Sequence, residues 1–546
     1  MQTITYKHLF IHFCRFLPFY TYFQFMKKSL QVVLTSVLVL YVLVLKSQPV
    51  SSAKIDSVTN LVLKTFDVPG IAVAVVKDGK VIHAKGYGVS SLNTKKKVDA
   101  KTIFGIASNS KAFTAAALGM LVDEGKLTWE TKVTDIIPEF RLYAPYVTSE
   151  FTITDLLTHR SGLGLGAGDL MIWPDSSNFT RADIIHNLRY LKPVSSFRTK
   201  FDYDNNLYIV AGEVVARVSG MSWESFIEQR IMQPLGMTGS YTSIRRIKDK
   251  SNMIDPHAPV DSRVQVIHND WSETANAAGG IWSNLEDMCK WVIMQMNNGR
   301  YGEGLSKQLL SKEVHEEMWT PQTIIPVHGA STYNTHFAAY GLGWFLSDVK
   351  GYKQAMHTGG LAGIVTQVTL IPELKLGILV FTNQQSGAAF NAITATIKDS
   401  YLGIKGVDRV KEQKVRVDKA VAEAKQITDE VWTKINAQQK QQTSNIDFSI
   451  YAGTYRDPWF GDIVISTKNG IHWFESKRSP KLSGQLLYYK GNTFIAKWND
   501  RSMDADAFVV FSLDAEGKAT GVKMNAISPL TDFSFDFQDL DFTRVK

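Results

Sequence analysis

The spacing of hydrophobic and polar positions changes character along the chain. Residues 71–76 and 81–87 are apolar-rich runs separated by Lys77-Asp78-Gly79-Lys80. Asp-Gly between two such runs predicts a β-hairpin. Residues 108–124 (SNSKAFTAAALGMLVDE) are rich in alanine, free of proline and followed by Gly125, which predicts a helix with a glycine C-cap. From 127 to 320 helical and loop segments alternate. Strands are expected again at 341–346, 352–357, 364–371 and 376–382, with Pro372-Glu373 turning the last pair, and 388–402 reads as a helix. Strands at both ends of a helical middle predict an α+β fold, in which one antiparallel sheet draws on both ends of the block and is flanked by helices and a helical subdomain.

The texture then changes twice. Residues 406–442 are charged, helix-prone and poor in strongly apolar positions, as in a solvated helix pair or linker. From 447 short alternating strands follow at 461–466, 471–475, 485–490, 493–498, 507–513 and 520–526, and Asp532-Phe533-Ser534-Phe535-Asp536-Phe537 closes the series in strict alternation. This predicts a small all-β barrel. The expected division is a leader at 1–53, a catalytic block at 54–403, a charged linker at 404–446 and a barrel at 447–546. On that division the barrel has a core of its own, and the block should fold without it.

Leu30 to Leu45 is the one long apolar run. Lys27-Lys28 before it and Ser51-Ser52-Ala53 after it match a secretory signal read from Met26, which predicts export to the periplasm or outside the cell; the alternative is an uncleaved anchor that holds the chain at a membrane. Five of the 60 basic residues lie in the first 53 positions, where there is no acidic residue, so the rest of the chain is close to neutral against 52 acids. The overall charge of +8 is therefore no footprint for nucleic acid. Two cysteines exclude a disulfide framework or a multi-cysteine zinc site. The sequence shows no cofactor or metal motif: Gly162 to Gly168 resembles a phosphate loop but follows a helix, so it reads as a flexible loop near the site.

The chemistry lies elsewhere. Ser108 opens the Ala-rich helix, and Lys111 follows one turn later on the same face. A serine hydroxyl needs a base beside it, and a lysine of depressed pKa can serve. Ser-x-x-Lys alone is weak, since a helix N-cap with a solvated lysine fits it equally well. Further along stand Phe201-Asp202-Tyr203-Asp204-Asn205-Asn206 and His357-Thr358-Gly359-Gly360. With them come Leu156-Leu157-Thr158-His159-Arg160-Ser161-Gly162-Leu163, Ala278-Gly279-Gly280-Ile281-Trp282-Ser283 and Tyr340-Gly341-Leu342-Gly343-Trp344. In this order the stretches resemble the serine β-lactamase and penicillin-binding family, in particular its class C-like branch of esterases and D-amino-acid peptidases. The strand-rich tail resembles the barrel often appended to that branch.

The resemblance implies roles. Ser108 would be acylated. Lys111 and Tyr203 would share the base and acid work. Asn205 would hold the substrate carbonyl or steer Lys111. The amides of Ser108 and Gly360 would form an oxyanion hole, and Gly359 and Gly360 would leave room for substrate. His357 stands where the wider family often has lysine. A histidine gives no permanent cation, so carboxylate binding is expected to strengthen as pH falls through its pKa. This favours an esterase or D-alanyl-D-alanine carboxypeptidase acting on a small-molecule or peptide substrate. The alternatives are a β-lactamase proper and a slowly deacylating penicillin-binding sensor.

Overall fold

The computed structural model describes residues 50–268, 270–440 and 446–545. The signal or anchor read in residues 1–49 lies outside the described residues, and among those described no helix is long and apolar enough to cross a membrane. A helix spans Ser52–Thr65, so the leader boundary drawn at residue 53 falls inside an element.

Eight strands form the main sheet: β1 (Gly70–Lys77), β2 (Lys80–Gly88), β3 (Thr323–Ile325), β4 (Ala338–Tyr340), β5 (Phe345–Val349), β6 (Tyr352–Leu361), β7 (Ile364–Ile371) and β8 (Leu376–Thr382). Their order is β2-β1-β8-β7-β6-β5-β4-β3, antiparallel throughout, with Ile71 opposite Thr382 where the two ends of the block meet. β1 is covered on both faces, which explains its unbroken apolar run. Of the strand expected at 341–346, residues 341–344 are instead the turn between β4 and β5, and 345–346 begin β5. Gly343 there has φ 79°, and a Cβ on it would lie 2.9 Å from Ala112 Cα and from the Lys111 carbonyl oxygen. The turn is pressed against helix α1 (Ser110–Asp123), in which every residue from Ser110 to Leu121 is buried. Small alanines let that helix pack closely on all sides, including against α2 (Asn206–Ser219).

The charged stretch is one continuous helix, α3 (Arg409–Lys440), not a pair. It carries the i,i+4 pairs Lys414–Asp418 and Lys425–Asp429, while Val431 and Ile435 pack on Tyr489, Ile495 and Ile527. The expected barrel is present and closed, from β9 (Gly453–Asp457) through β10 (Gly461–Lys468), β11 (Ile471–Ser476), β12 (Ser483–Lys490), β13 (Thr493–Trp498), β14 (Ala507–Leu513) and β15 (Ala519–Ala526) to β16 (Phe542–Arg544). The alternating run 532–537 is not one of its strands. The Asp532 carboxylate accepts from the Ser534 N–H at 2.9 Å and so sets a turn. The alternation has another cause: Phe535 and Phe537 are buried, and Ser534 and Asp536 are buried too, against the first block. Residues 52–396 and 408–546 cluster as one compact unit, and one apolar core runs from Ala72 to Phe542. Residues 397–407, with Val50 and Ser51, cluster separately.

One buried charge fixes the loops that lead to the site. Thr152 and Asp155 form a reciprocal capping box on the short helix Ile153–Leu157. Asp155, with no exposed surface, also accepts from Arg160 Nε at 2.8 Å and Arg198 Nε at 2.9 Å. Burial alone would raise its pKa; the hydrogen bonds from Arg198 and Thr152 and the Arg160 charge outweigh it and hold the carboxyl below its usual range. Asp155→Asn is expected to cost about 3 kcal/mol or more, because it leaves buried cationic donors without their charge partner. The Asp155 contribution should be present above about pH 4 and fade as the solution is acidified below it, since the folded pKa is the lower one. Urea unfolding of both proteins across pH measures this.

Candidate active site

Ser108 sits in a tight 3-10 turn, Ala107–Asn109, just ahead of α1. The turn is held from three directions. The Ile106 N–H donates to the Ile281 carbonyl at 2.9 Å, the Ile106 carbonyl accepts from Thr366 Oγ1 at 2.9 Å, and Asn109 Nδ2 donates to Thr366 Oγ1 at 2.9 Å. Ala107 is forced to φ 49°, a left-handed conformation that costs a non-glycine residue about 1 kcal/mol or more. Strain of this kind persists only where surrounding contacts impose it.

Lys111 points back from the first turn of α1 and has no exposed surface. Its Nζ lies 3.1 Å from Ser108 Oγ, 2.7 Å from Asn205 Oδ1 and 2.9 Å from the Ala278 carbonyl oxygen. Burial pulls its pKa down to about 7, against the opposing charges of Asp169 and Asp204. The amine is therefore largely uncharged just above neutrality. A neutral amine keeps two N–H groups, enough for Asn205 and Ala278, and presents its lone pair to the Ser108 hydroxyl. That arrangement can take the serine proton.

Tyr203 closes the other side. Its ring centroid is 4.9 Å from Lys111 Nζ, and it lines the same cleft as Ser108. Burial raises the Tyr203 pKa well above its usual value, so the phenol keeps its proton in the resting site. The backbone around it is pinned by the 159–166 loop: Asp202 N–H donates to the His159 carbonyl, Asp204 N–H to His159 Nδ1 at 3.0 Å, and Gly166 N–H to the Tyr203 carbonyl at 2.8 Å. His159 thus acts here as a structural hydrogen-bonder. The glycine-rich stretch beside it is a tied loop, not a free one.

Asn205 spends both ends of its amide inside the protein. Oδ1 faces Lys111, and Nδ2 donates to Asp169 Oδ2 at 2.8 Å. Of the two roles its motif allows, the geometry fits steering of the lysine. Asp169 lies in no motif and Asp204 is the unassigned middle position of the Tyr203–Asn205 motif, so neither was singled out by sequence reasoning. Both are fully buried, and burial raises both pKa values, that of Asp204 to about 7.

His357 departs from expectation. Its Nδ1 lies 2.6 Å from the Thr358 carbonyl and its Nε2 lies 2.9 Å from the Tyr340 hydroxyl, so Nδ1 donates and Nε2 accepts. The residue is 1% exposed, and burial, with the Lys111 charge, lowers its pKa to about 3. It is neutral at any ordinary pH and cannot become the acid-strengthened carboxylate receptor that its place in the motif suggests. The two glycines differ as well. A Cβ on Gly359 would lie 2.3 Å from the Ile106 carbonyl oxygen and 2.9 Å from Ala107 Cβ, whereas a Cβ on Gly360 would meet nothing within 4 Å. Gly359 allows β6 to lie against the Ser108 turn; only Gly360 borders open space.

That space is a cleft of about 1240 Å³. Ser108, Tyr203 and Gly360 lie in it, Trp173, Phe201 and Phe345 line its walls, and Phe533 reaches in from the barrel side. The Phe533 ring meets the Tyr203 ring edge to face at 5.9 Å.

Gly359→Ala should destabilise the fold by about 2 kcal/mol, the scale of overpacking a rigid contact, while Gly360→Ala should melt close to wild type. Thermal unfolding of the two variants side by side checks the distinction.

Comparison with known proteins agrees with the fold. A Beta-lactamase family model matches residues 58–402, and a model of a domain of unknown function (DUF3471) matches residues 437–544. Unguisins hydrolase ungD of Aspergillus violaceofuscus is 31% identical over 369 residues, which are 64% of this chain and 64% of that protein. Protein flp of Staphylococcus aureus is 27% identical over 346 residues, 62% of this chain and 64% of that protein. The chain thus spans about 64% of the length of these curated relatives. The octameric penicillin-binding protein homologue from Pyrococcus abyssi shares the fold, with a TM-score of 0.58 at 21% identity over 88% of this chain and 99% of that one. The family model alone spans more than half of the sequence, and the chain belongs to the Beta-lactamase family.

Proposed function

We propose that the chain hydrolyses an amide or ester bond of a bulky, largely apolar peptide-like substrate through an acyl-Ser108 intermediate. The observation that carries this reading is the Lys111 amine, with a pKa of about 7, 3.1 Å from Ser108 Oγ. Lys111 takes the serine proton as Oγ attacks the carbonyl. Tyr203, still protonated, delivers a proton to the leaving group and is recharged by the proton that Lys111 took from Ser108. The amides of Ser108 and Gly360 receive the oxyanion. Water then repeats the sequence on the acyl-enzyme.

A peptide or ester fits better than a β-lactam. His357 offers no cation for a carboxylate, and the two other lysines on the cleft wall, Lys414 and Lys481, are already paired with Asp418 and Asp175. The aromatic walls and the volume of the cleft suit a larger apolar group. Unguisins hydrolase, to which the chain is similar, is named for hydrolysis of unguisins, which is in keeping with a hydrolytic reaction here. The export read from the leader remains part of the proposal.

A fluorophosphonate probe should add one adduct, at Ser108, and Ser108→Ala should abolish label and turnover; an adduct on another serine would sink the assignment. Parallel assays with p-nitrophenyl esters, a D-Ala-D-Ala peptide and nitrocefin should rank nitrocefin last. kcat/KM should rise with pH through about 7 as Lys111 loses its proton. Lys111→Arg, which stays charged, should lose about 10² or more in kcat. KM for an acidic substrate should not fall between about pH 8 and about pH 5, because His357 stays neutral throughout. Phe533→Ala should raise KM for aromatic esters and leave acetyl esters unchanged.

A further inference from the structure

The barrel does more than wall the cleft. Three of its polar contacts converge on one stretch of the first block, residues 168–170. Asp536 grips the backbone there, with Gly168 N–H donating to Oδ2 at 2.6 Å and Leu170 N–H to Oδ1 at 2.9 Å. Between those two amides stands Asp169, and Ser534 Oγ donates to its Oδ2 at 2.8 Å. The same Asp169 oxygen accepts from Asn205 Nδ2 at 2.8 Å, and Asn205 Oδ1 takes Lys111 at 2.7 Å. An unbroken line of hydrogen bonds therefore leads from the barrel to the amine beside Ser108. Asp169 Oδ1 has no partner, so the carboxylate is fixed only through Oδ2.

Adhesion between two bodies does not explain this line. Asp169 and Asp536 are both fully buried, and the Asp169 charge adds to burial in raising the Asp536 pKa. A contact that served packing alone would do better with apolar side chains, since removing carboxylates from water side by side is costly.

We propose that Ser534 is a positioning residue for Lys111, acting through Asp169 and Asn205, so that the barrel segment 534–536 is an integral part of the active site. The proposal rests on the acyl-serine reading above. Asn205 can present oxygen to Lys111 only while its nitrogen is held by Asp169. With the Ser534 hydroxyl gone, Asp169 keeps a single side-chain donor and is free to turn toward its unpartnered side. Asn205 then loses its orientation, and the amine loses its alignment with Ser108 Oγ. Asn205 and Ser534 also border the cleft, so KM is read beside kcat: a positioning role lowers kcat and leaves KM for a short ester little changed.

The test uses the full chain with Ser534→Ala, Asp169→Asn and the double variant. The readouts are the rate of fluorophosphonate labelling at Ser108, kcat and KM on p-nitrophenyl acetate, and thermal melting. Ser534→Ala should label and turn over about 10- to 100-fold more slowly, the usual effect of losing an outer partner of a site group, with KM and melting temperature little changed. In the Asp169→Asn background Ser534→Ala should add less than about twofold, because the two residues act in series. A folded Ser534→Ala protein with wild-type labelling and kcat overturns the proposal and leaves the serine-hydrolase reading standing. So does a full additional loss in the Asp169→Asn background. A wild-type enzyme that is never labelled at Ser108 overturns both.

Discussion

Burial of the Lys111 amine is the constraint around which the site is built. An ammonium taken out of water costs several kcal/mol unless it is paired or gives up its proton. Here both remedies operate: the pKa falls to about 7, and three oxygens stand within 3.1 Å of Nζ. Each oxygen comes from a different part of the chain. Ser108 is on the turn before α1, Asn205 leads into α2, and Ala278 belongs to the segment docked on α1 through Thr114 and Ser110. The long connections of the block are arranged so that these three segments meet at one atom.

What was legible in the sequence is what local geometry determines. Ser108 and Lys111 lie one helical turn apart, so their meeting follows from the helix. Tyr203 and Asn205 share one short segment at the entry to α2. The sheet was legible because β1 and β8 are apolar-rich runs bounded by turns, and β7 keeps enough apolar positions to join them. His357 was not, because a histidine reads the same whether it faces a cleft or an aromatic cluster. Only the placement of Tyr340, 17 residues away and on a neighbouring part of the sheet, makes it a buried neutral acceptor. Gly359 and Gly360 are adjacent and identical in type, yet only the position of the Ile106 carbonyl separates a packing glycine from an open one.

The tail illustrates a further limit. Strict alternation at 532–537 is the signature of a strand with one buried face, and the same pattern arises where a loop is caught between two bodies. Phe537 turns toward the barrel core, where its ring lies 6.0 Å from that of Trp498, while Ser534 and Asp536 turn toward residues 168–170. Period alone does not distinguish these cases. The presence of hydrogen-bonding side chains at the buried polar positions does, because an outward strand face would have left them in water.

The same geometry bears on how the two parts of the chain cooperate. Asp169 and Ser534 are 365 residues apart, so the contact closes a very long loop. The interface carries buried polar groups as well as apolar ones, including Lys481 bonded to the nearly buried Asp175. Polar pairs of this kind tolerate little misalignment, since a shifted partner leaves a desolvated group unpaired. The barrel is therefore held in one register against the first block rather than adhering loosely to it. That register brings Phe533 to Tyr203 and Ser534 to Asp169 together, so the wall of the cleft and the support of the amine are set by a single docking event.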